Sequence, residues 1–212
     1  MRRDWWKYLS GVLLLYAVIA GFLVQIPETT NEETARNLFY HVGMWFGMFS
    51  MLTTGFIFSL RYLRKFNENE DLIAVEAVNV GLVFGLLGFL TGMIWGKYTW
   101  SKPLDLDPKL IGAAVGIIIY MAYLILRGSL DDVHKRAKVS AVYNIFAFFM
   151  WIVFVLIRPR LGAEGIHPKN VEGLSTPMRL VFFPAMIGWT LLAFWMMSLR
   201  VRIRKLRLKN EI

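Results

Sequence analysis

Along this chain the apolar residues neither alternate nor keep to one helical face; they run on. Six stretches, about 6–26, 38–60, 72–94, 110–126, 139–157 and 178–199, are almost uninterrupted by charge. At 1.5 Å rise per residue each can cover a hydrocarbon core of about 30 Å, the fourth being the shortest. The pattern predicts an all-α fold: a polytopic membrane protein, a bundle of six transmembrane helices, with residues 1–212 forming one membrane domain. The first run follows Arg2 and Arg3 as a secretory signal would. It is too long for an h-region and no small-residue cleavage site precedes Gln25, so it reads as a helix that stays in the membrane.

Between the third and fourth runs lies Thr91–Leu110, TGMIWGKYTWSKPLDLDPKL, which reads as an aromatic loop at the membrane edge. Tryptophan and tyrosine collect at headgroup depth, so Trp95, Tyr98 and Trp100 on their own suit an interfacial belt. Asp107-Pro108 fits a helix N-cap with proline at the first helical position. Asp105 and Asp107 suit turn and capping roles better than an acid–base pair. Within the runs, Gly81, Gly85, Gly88 and Gly92 recur at intervals that let helices approach closely, as do Gly112 and Gly116. Glu76 is an ionisable residue inside a span, with Arg127 as a candidate partner. Met44, Met48, Met51, Met196 and Met197 read as gap-filling core.

Composition agrees with the pattern: 57% of residues are hydrophobic and only 18% charged, against about a quarter charged in soluble domains. A net charge of +9 could signal nucleic acid, but the basic residues flank the apolar runs as orienting charges do. The N-terminus, the 61–71 and 127–138 loops and the tail after Leu199 carry most of the 24 lysines and arginines. The positive-inside rule then puts both termini in the cytoplasm and faces the loops 27–37, 95–109 and 158–177 outward. No cysteine is present, which excludes disulfides and thiolate ligands.

The candidate chemistry lies on that outer face. Of three histidines, His134 falls in a charged cytoplasmic turn, whereas His41 stands at the outer end of the second helix and His167 in the outer loop before the sixth. A lone histidine at a helix end is usually structural; two on one face beside an aromatic segment point to a shared ligand. Imidazole binds iron well, and paired imidazoles hold a haem by its two open faces. Haem needs a flat apolar bed, two axial donors and cations near its propionates. Trp45, Trp95, Tyr98 and Trp100 offer the bed, His41 and His167 the donors, and Arg36, Lys97, Lys109, Arg158 or Arg160 the cations. Structural zinc is the competing use, but it takes four ligands, mostly Cys and His. There is no phosphate loop, no nucleophile elbow and no HExxH, so nothing suggests a covalent nucleophile or a metalloprotease.

The order Asn37-Leu-Phe-Tyr-His41-Val-Gly-Met-Trp45, then Trp95-Gly-Lys-Tyr-Thr-Trp100 through Asp107-Pro-Lys-Leu110, then Ser129-Leu-Asp-Asp with Lys135-Arg-Ala, then His167-Pro, resembles the CcmC family of bacterial cytochrome c maturation. The likeness covers nearly the whole chain. Trp95, Gly96, Trp100, Asp107 and Leu110 match the family's tryptophan-rich WWD segment, with Lys109 in place of an arginine. Where the family has its later tryptophans this chain has Pro103, Leu104 and Leu106, which reduces stacking. The resemblance implies a non-enzymatic handler that cradles haem b transiently on the periplasmic face of the bacterial inner membrane. His41 and His167 would be axial ligands and the WWD segment, Asp107 and Lys109 included, the bed. It implies transfer to the haem chaperone CcmE and company with the small protein CcmD and the ABC transporter CcmAB. Two other readings compete: a b-type cytochrome carrying electrons, whose histidines would face each other within the spans, and a transporter or permease subunit, which would need polar or broken helices near the midplane.

Overall fold

The computed structural model describes residues 4–27, 32–100, 107–161 and 174–210. Helix α1 is Trp5–Leu23, and a 3₁₀ turn, Glu32–Asn37, leads straight into α2, Leu38–Lys65. Then come α3, Glu68–Trp100; α4, Pro108–Gly128; α5, Val133–Ile152; α6, Arg158–Leu161; and α7, Thr176–Asn210. A π-helical segment, Val153–Ile157, joins α5 to α6, so that 133–161 form one span. Among the described residues six helices are thus long and apolar enough to cross a membrane, and the chain is a multi-pass membrane protein.

Helix α2 is the axis of the bundle, packing on α3, α5 and α7, while α1 docks on α7. Met44, Met48, Met51 and Leu52 of α2 are buried with Val78, Val80 and Phe84 of α3, Tyr120 and Tyr123 of α4, and Phe148 and Trp151 of α5. Large apolar residues lie on the outside as well, among them Val12, Leu15, Ile19 and Phe22 of α1 and Leu86, Leu87, Leu90 and Ile94 of α3. In water such a surface would aggregate; in a bilayer it is the solvated one.

Charge pairs gather at one end. Arg127, closing α4, makes a two-pronged pair with Asp71 at 2.8 and 2.6 Å, and Arg200 of α7 meets Glu76 at 2.6 Å. The expected Glu76–Arg127 pairing is therefore wrong. Asp71 and Glu76 lie five residues apart, about 140° around the helix, so one faces α4 and the other α7. Asp4 feels Arg202 at this same end, which holds both the start of α1 and the end of α7.

Pro184 sits inside α7 and has no N–H to give the carbonyl of Leu180. The Tyr16 hydroxyl of α1 donates to that oxygen at 3.2 Å, and Ser10 Oγ donates to the carbonyl of Gly188 at 3.1 Å. The proline thus frees the carbonyl that ties α1 to α7. Gly112 has a comparable reason to be glycine. A Cβ there would stand 2.1 Å from the carbonyl oxygen of Phe154, in the π segment.

Candidate functional site: a tethered histidine between tryptophans

The opposite end of the bundle carries the candidate chemistry, and part of it departs from expectation. Residues 91–100 are not loop. They complete α3, a helix of 33 residues and about 50 Å, well beyond the ~30 Å of a hydrocarbon core. The stretch contains no proline before Pro103, and a glycine costs at most about 1 kcal/mol against helix; Gly92 is moreover held by its contact to His41 of α2. Trp95 and Tyr98 are accordingly helical residues.

The stripe Gly81, Gly85, Gly88, Gly92 sets the register of α3 on α2. Gly81 abuts Met51 and Leu52, Gly85 abuts Met48, Gly88 abuts the Trp45 ring and Gly92 abuts the His41 ring. A Cβ on Gly92 would come within 2.7 Å of His41 Cε1, and one on Gly88 within 3.1 Å of Trp45. The stripe expected to pack helices does so, and its last two members also seat the candidate ligand and its neighbour.

His41 is 8% exposed, one turn into α2. Its Nδ1 lies 3.1 Å from Thr91 Oγ1. Two indoles meet the ring edge-on: Trp45 with centroids 6.2 Å apart at 78°, and Trp95 at 5.7 Å and 75°. The same Thr91 accepts a hydrogen bond at its carbonyl from Asn37 Nδ2, 3.1 Å away. Thr99 Oγ1 reaches Thr34 Oγ1 at 3.1 Å, so the 3₁₀ turn is pinned to α3 twice. On the other side of α2, Trp189 of α7 wedges against Gly43 and donates from Nε1 to the carbonyl of Phe39 at 3.2 Å.

The other candidates are held in different states. Arg36 directs one terminal nitrogen at the carbonyls of Gly21 and Val24, 2.6 and 2.9 Å away, closing the end of α1 with a cation where the helix dipole favours one. Tyr98 is largely exposed, with Lys97 Nζ 5.8 Å from its ring centre. Asp107 is buried and caps α4, accepting from the amides of Lys109 and Leu110 at 2.9 and 3.2 Å. Proline follows it at the first helical position, the arrangement its sequence predicts. Lys109, half buried, opens α4 within electrostatic reach of Arg160. His134 is exposed in the first turn of α5 at the charged end. His167, the side chain of Trp100, and Pro103, Leu104 and Leu106 lie outside the described residues.

Sequence reasoning missed Thr91, Asn37 and Trp189. Each acts across helices, at sequence separations of 50, 54 and 150 from its partner, and only the register of α2 on α3 and α7 reveals them.

The fold and this end together define a class: a six-span helical membrane protein presenting a buried, tethered imidazole within an aromatic setting. The chain belongs to the cytochrome c assembly protein family, whose model matches residues 6–167. It is 25% identical over 203 residues to the "Heme exporter protein C" of Paracoccus denitrificans, covering 90% of this chain and 82% of that protein. The protein of the same name from Rhodobacter capsulatus is 22% identical over 213 residues, covering 96% and 88%. The "Cytochrome c biogenesis protein CcsA" of Lobularia maritima is 26% identical over 138 residues, 65% of this chain and 41% of that protein. The resemblance to the CcmC family is thereby borne out.

Proposed function

We propose that this protein holds haem b transiently at the periplasmic face of the bacterial inner membrane and presents it to a periplasmic chaperone of the CcmE kind for cytochrome c maturation. His41 and His167 are the axial ligands. Trp45, Trp95, Tyr98 and Trp100 supply apolar surface for the disc. Arg36 and Lys109 supply positive charge for the propionates, and Asp107 shapes the start of α4 that carries Lys109. The protein presents haem without itself forming the covalent bond to the chaperone, and works alongside CcmD and CcmAB-type partners.

The observation that carries this reading is His41. An imidazole with one nitrogen engaged by a hydroxyl and two indoles set on edge beside it is oriented as a metal ligand is, through its second nitrogen. The donor chemistry suits haem better than zinc, since a pair of histidines in a chain without cysteine completes an iron porphyrin but leaves zinc short of its usual four ligands. The names of the relatives, haem exporters and cytochrome c biogenesis proteins, point the same way.

The test is spectroscopic. Detergent-purified protein titrated with haem should develop a low-spin bis-imidazole spectrum. His41→Ala and His167→Ala should each abolish that spectrum while leaving membrane insertion normal. A spectrum unchanged in both variants would sink the ligand assignment. A haem that stays bound through turnover and is rapidly reduced by quinol would favour a b-type cytochrome instead.

A further inference from the structure

Thr91 touches the most chemically telling atom of the site. Its Oγ1 lies 2.9 Å from the carbonyl oxygen of Leu87, 3.0 Å from that of Gly88 and 3.1 Å from His41 Nδ1. Both carbonyls are acceptors only, and a threonine hydroxyl carries one proton. Were Nδ1 also unprotonated, three lone-pair atoms would surround one hydrogen. Two of those contacts would then be bare repulsions in a low-dielectric interior. With the proton on Nδ1, the hydroxyl donates backward to the preceding turn, as threonines in helices do, and accepts from the imidazole. A neutral imidazole has only one N–H, so its lone pair is then on Nε2.

We propose that Thr91 is a positioning residue for haem handling: its hydroxyl holds His41 in the Nδ1–H tautomer and so directs Nε2 at the iron. This rests on the reading of His41 as an axial ligand. The geometry assigns Thr91 the role that carboxylates or carbonyls play behind metal-bound histidines, where the partner of the second nitrogen fixes tautomer and ring orientation. Thr91 is well suited to it. Its hydroxyl is anchored to α3, its carbonyl is bound by Asn37 just before α2, and Gly92 beside it leaves room for the ring.

Nitrogen NMR of haem-free protein labelled with ¹⁵N-histidine tests the tautomer directly. The chain has only three histidines, and His41→Ala identifies the signals of His41. At about pH 8, above the ordinary imidazole range, His41 should appear as one neutral species, protonated at Nδ1 and unprotonated at Nε2. Thr91→Val, which keeps the shape and the backbone carbonyl, should shift it toward the Nε2–H form, and Thr91→Ser should restore the original pattern. In haem titrations Thr91→Val should bind about tenfold or more weakly, the usual size of such an outer-contact loss. It should also hold haem at a more positive midpoint potential, with Thr91→Ser close to the parent. An Nε2–H signal in the parent, or a Thr91→Val spectrum identical to it, overturns the proposal. A haem spectrum unchanged by His41→Ala overturns the ligand reading itself, which is a separate failure from an unmoved tautomer.

Discussion

A single methyl group is the sharpest probe of the site, because Gly92 faces the imidazole with no space to spare. Gly92→Ala would place Cβ 2.7 Å from His41 Cε1, so the ring must move away from Thr91 or from the tryptophans. Overpacking of this kind costs about 1–3 kcal/mol, and each 1.4 kcal/mol is about tenfold in an equilibrium. Haem affinity should therefore fall by about fivefold to a hundredfold in a spectrophotometric titration, with helix content by circular dichroism unchanged. Gly11→Ala is the matched control, since its Cβ would meet nothing within 4 Å; it should bind haem as the parent does. At this scale the sequence pointed to His41 by its place at a helix end, and to Trp45 and Trp95 by their type. It could not point to Thr91, which is an ordinary threonine in an apolar run until α3 is laid against α2.

Helix to helix, the proline of α7 shows how an element is joined to its neighbour. Pro184 leaves the carbonyl of Leu180 without its helical donor, and Tyr16 of α1 provides one. An unsatisfied carbonyl in hydrocarbon is costly, although interhelical bonds inside membranes average only about 0.6 kcal/mol. Tyr16→Phe should lower the unfolding midpoint in detergent by an amount corresponding to about 0.5–1.5 kcal/mol. In a Pro184→Ala background, where the residue 184 amide serves Leu180 again, the same change should cost much less. An equal cost in both backgrounds would show that Tyr16 acts by packing alone. The extent of α3 belongs to this scale too. Its aromatic end looks like a loop because glycine, lysine and threonine interrupt the apolar run there. Helix persists because Gly92 is occupied by His41 of α2 and the next proline comes only at 103.

The whole bundle sorts its ends by chemistry. The Asp71–Arg127 and Glu76–Arg200 pairs, the start of α1 and the end of α7 lie together at one end, and the tethered histidine lies at the other. The positive-inside rule assigns the first end to the cytoplasm. Because the chain contains no cysteine, single cysteines report location without background. A membrane-impermeant maleimide applied to spheroplasts should label Tyr98→Cys, at the end of α3, and should label Lys65→Cys and Lys209→Cys only after lysis. Labelling in the reverse order would invert the assignment and put the haem-handling face on the cytoplasmic side.

Read alone, the chain determined that the protein is of the all-α class, that it has six runs long and apolar enough to span a membrane, matched by six such helices among the described residues, and that it resembles a cytochrome c maturation family. Those properties follow from hydrophobic run length and from motif residues, both of which are local along the polymer. Pairing was decided only in three dimensions: that Glu76 meets Arg200 and not Arg127, that a stripe of small residues becomes the seat of an imidazole, and that a hydroxyl fifty positions away faces Nδ1. The physical reason is register. In apolar surroundings one helix slides past another at little hydrophobic cost, so the fit of glycines against rings and the placing of a few hydrogen bonds select the alignment.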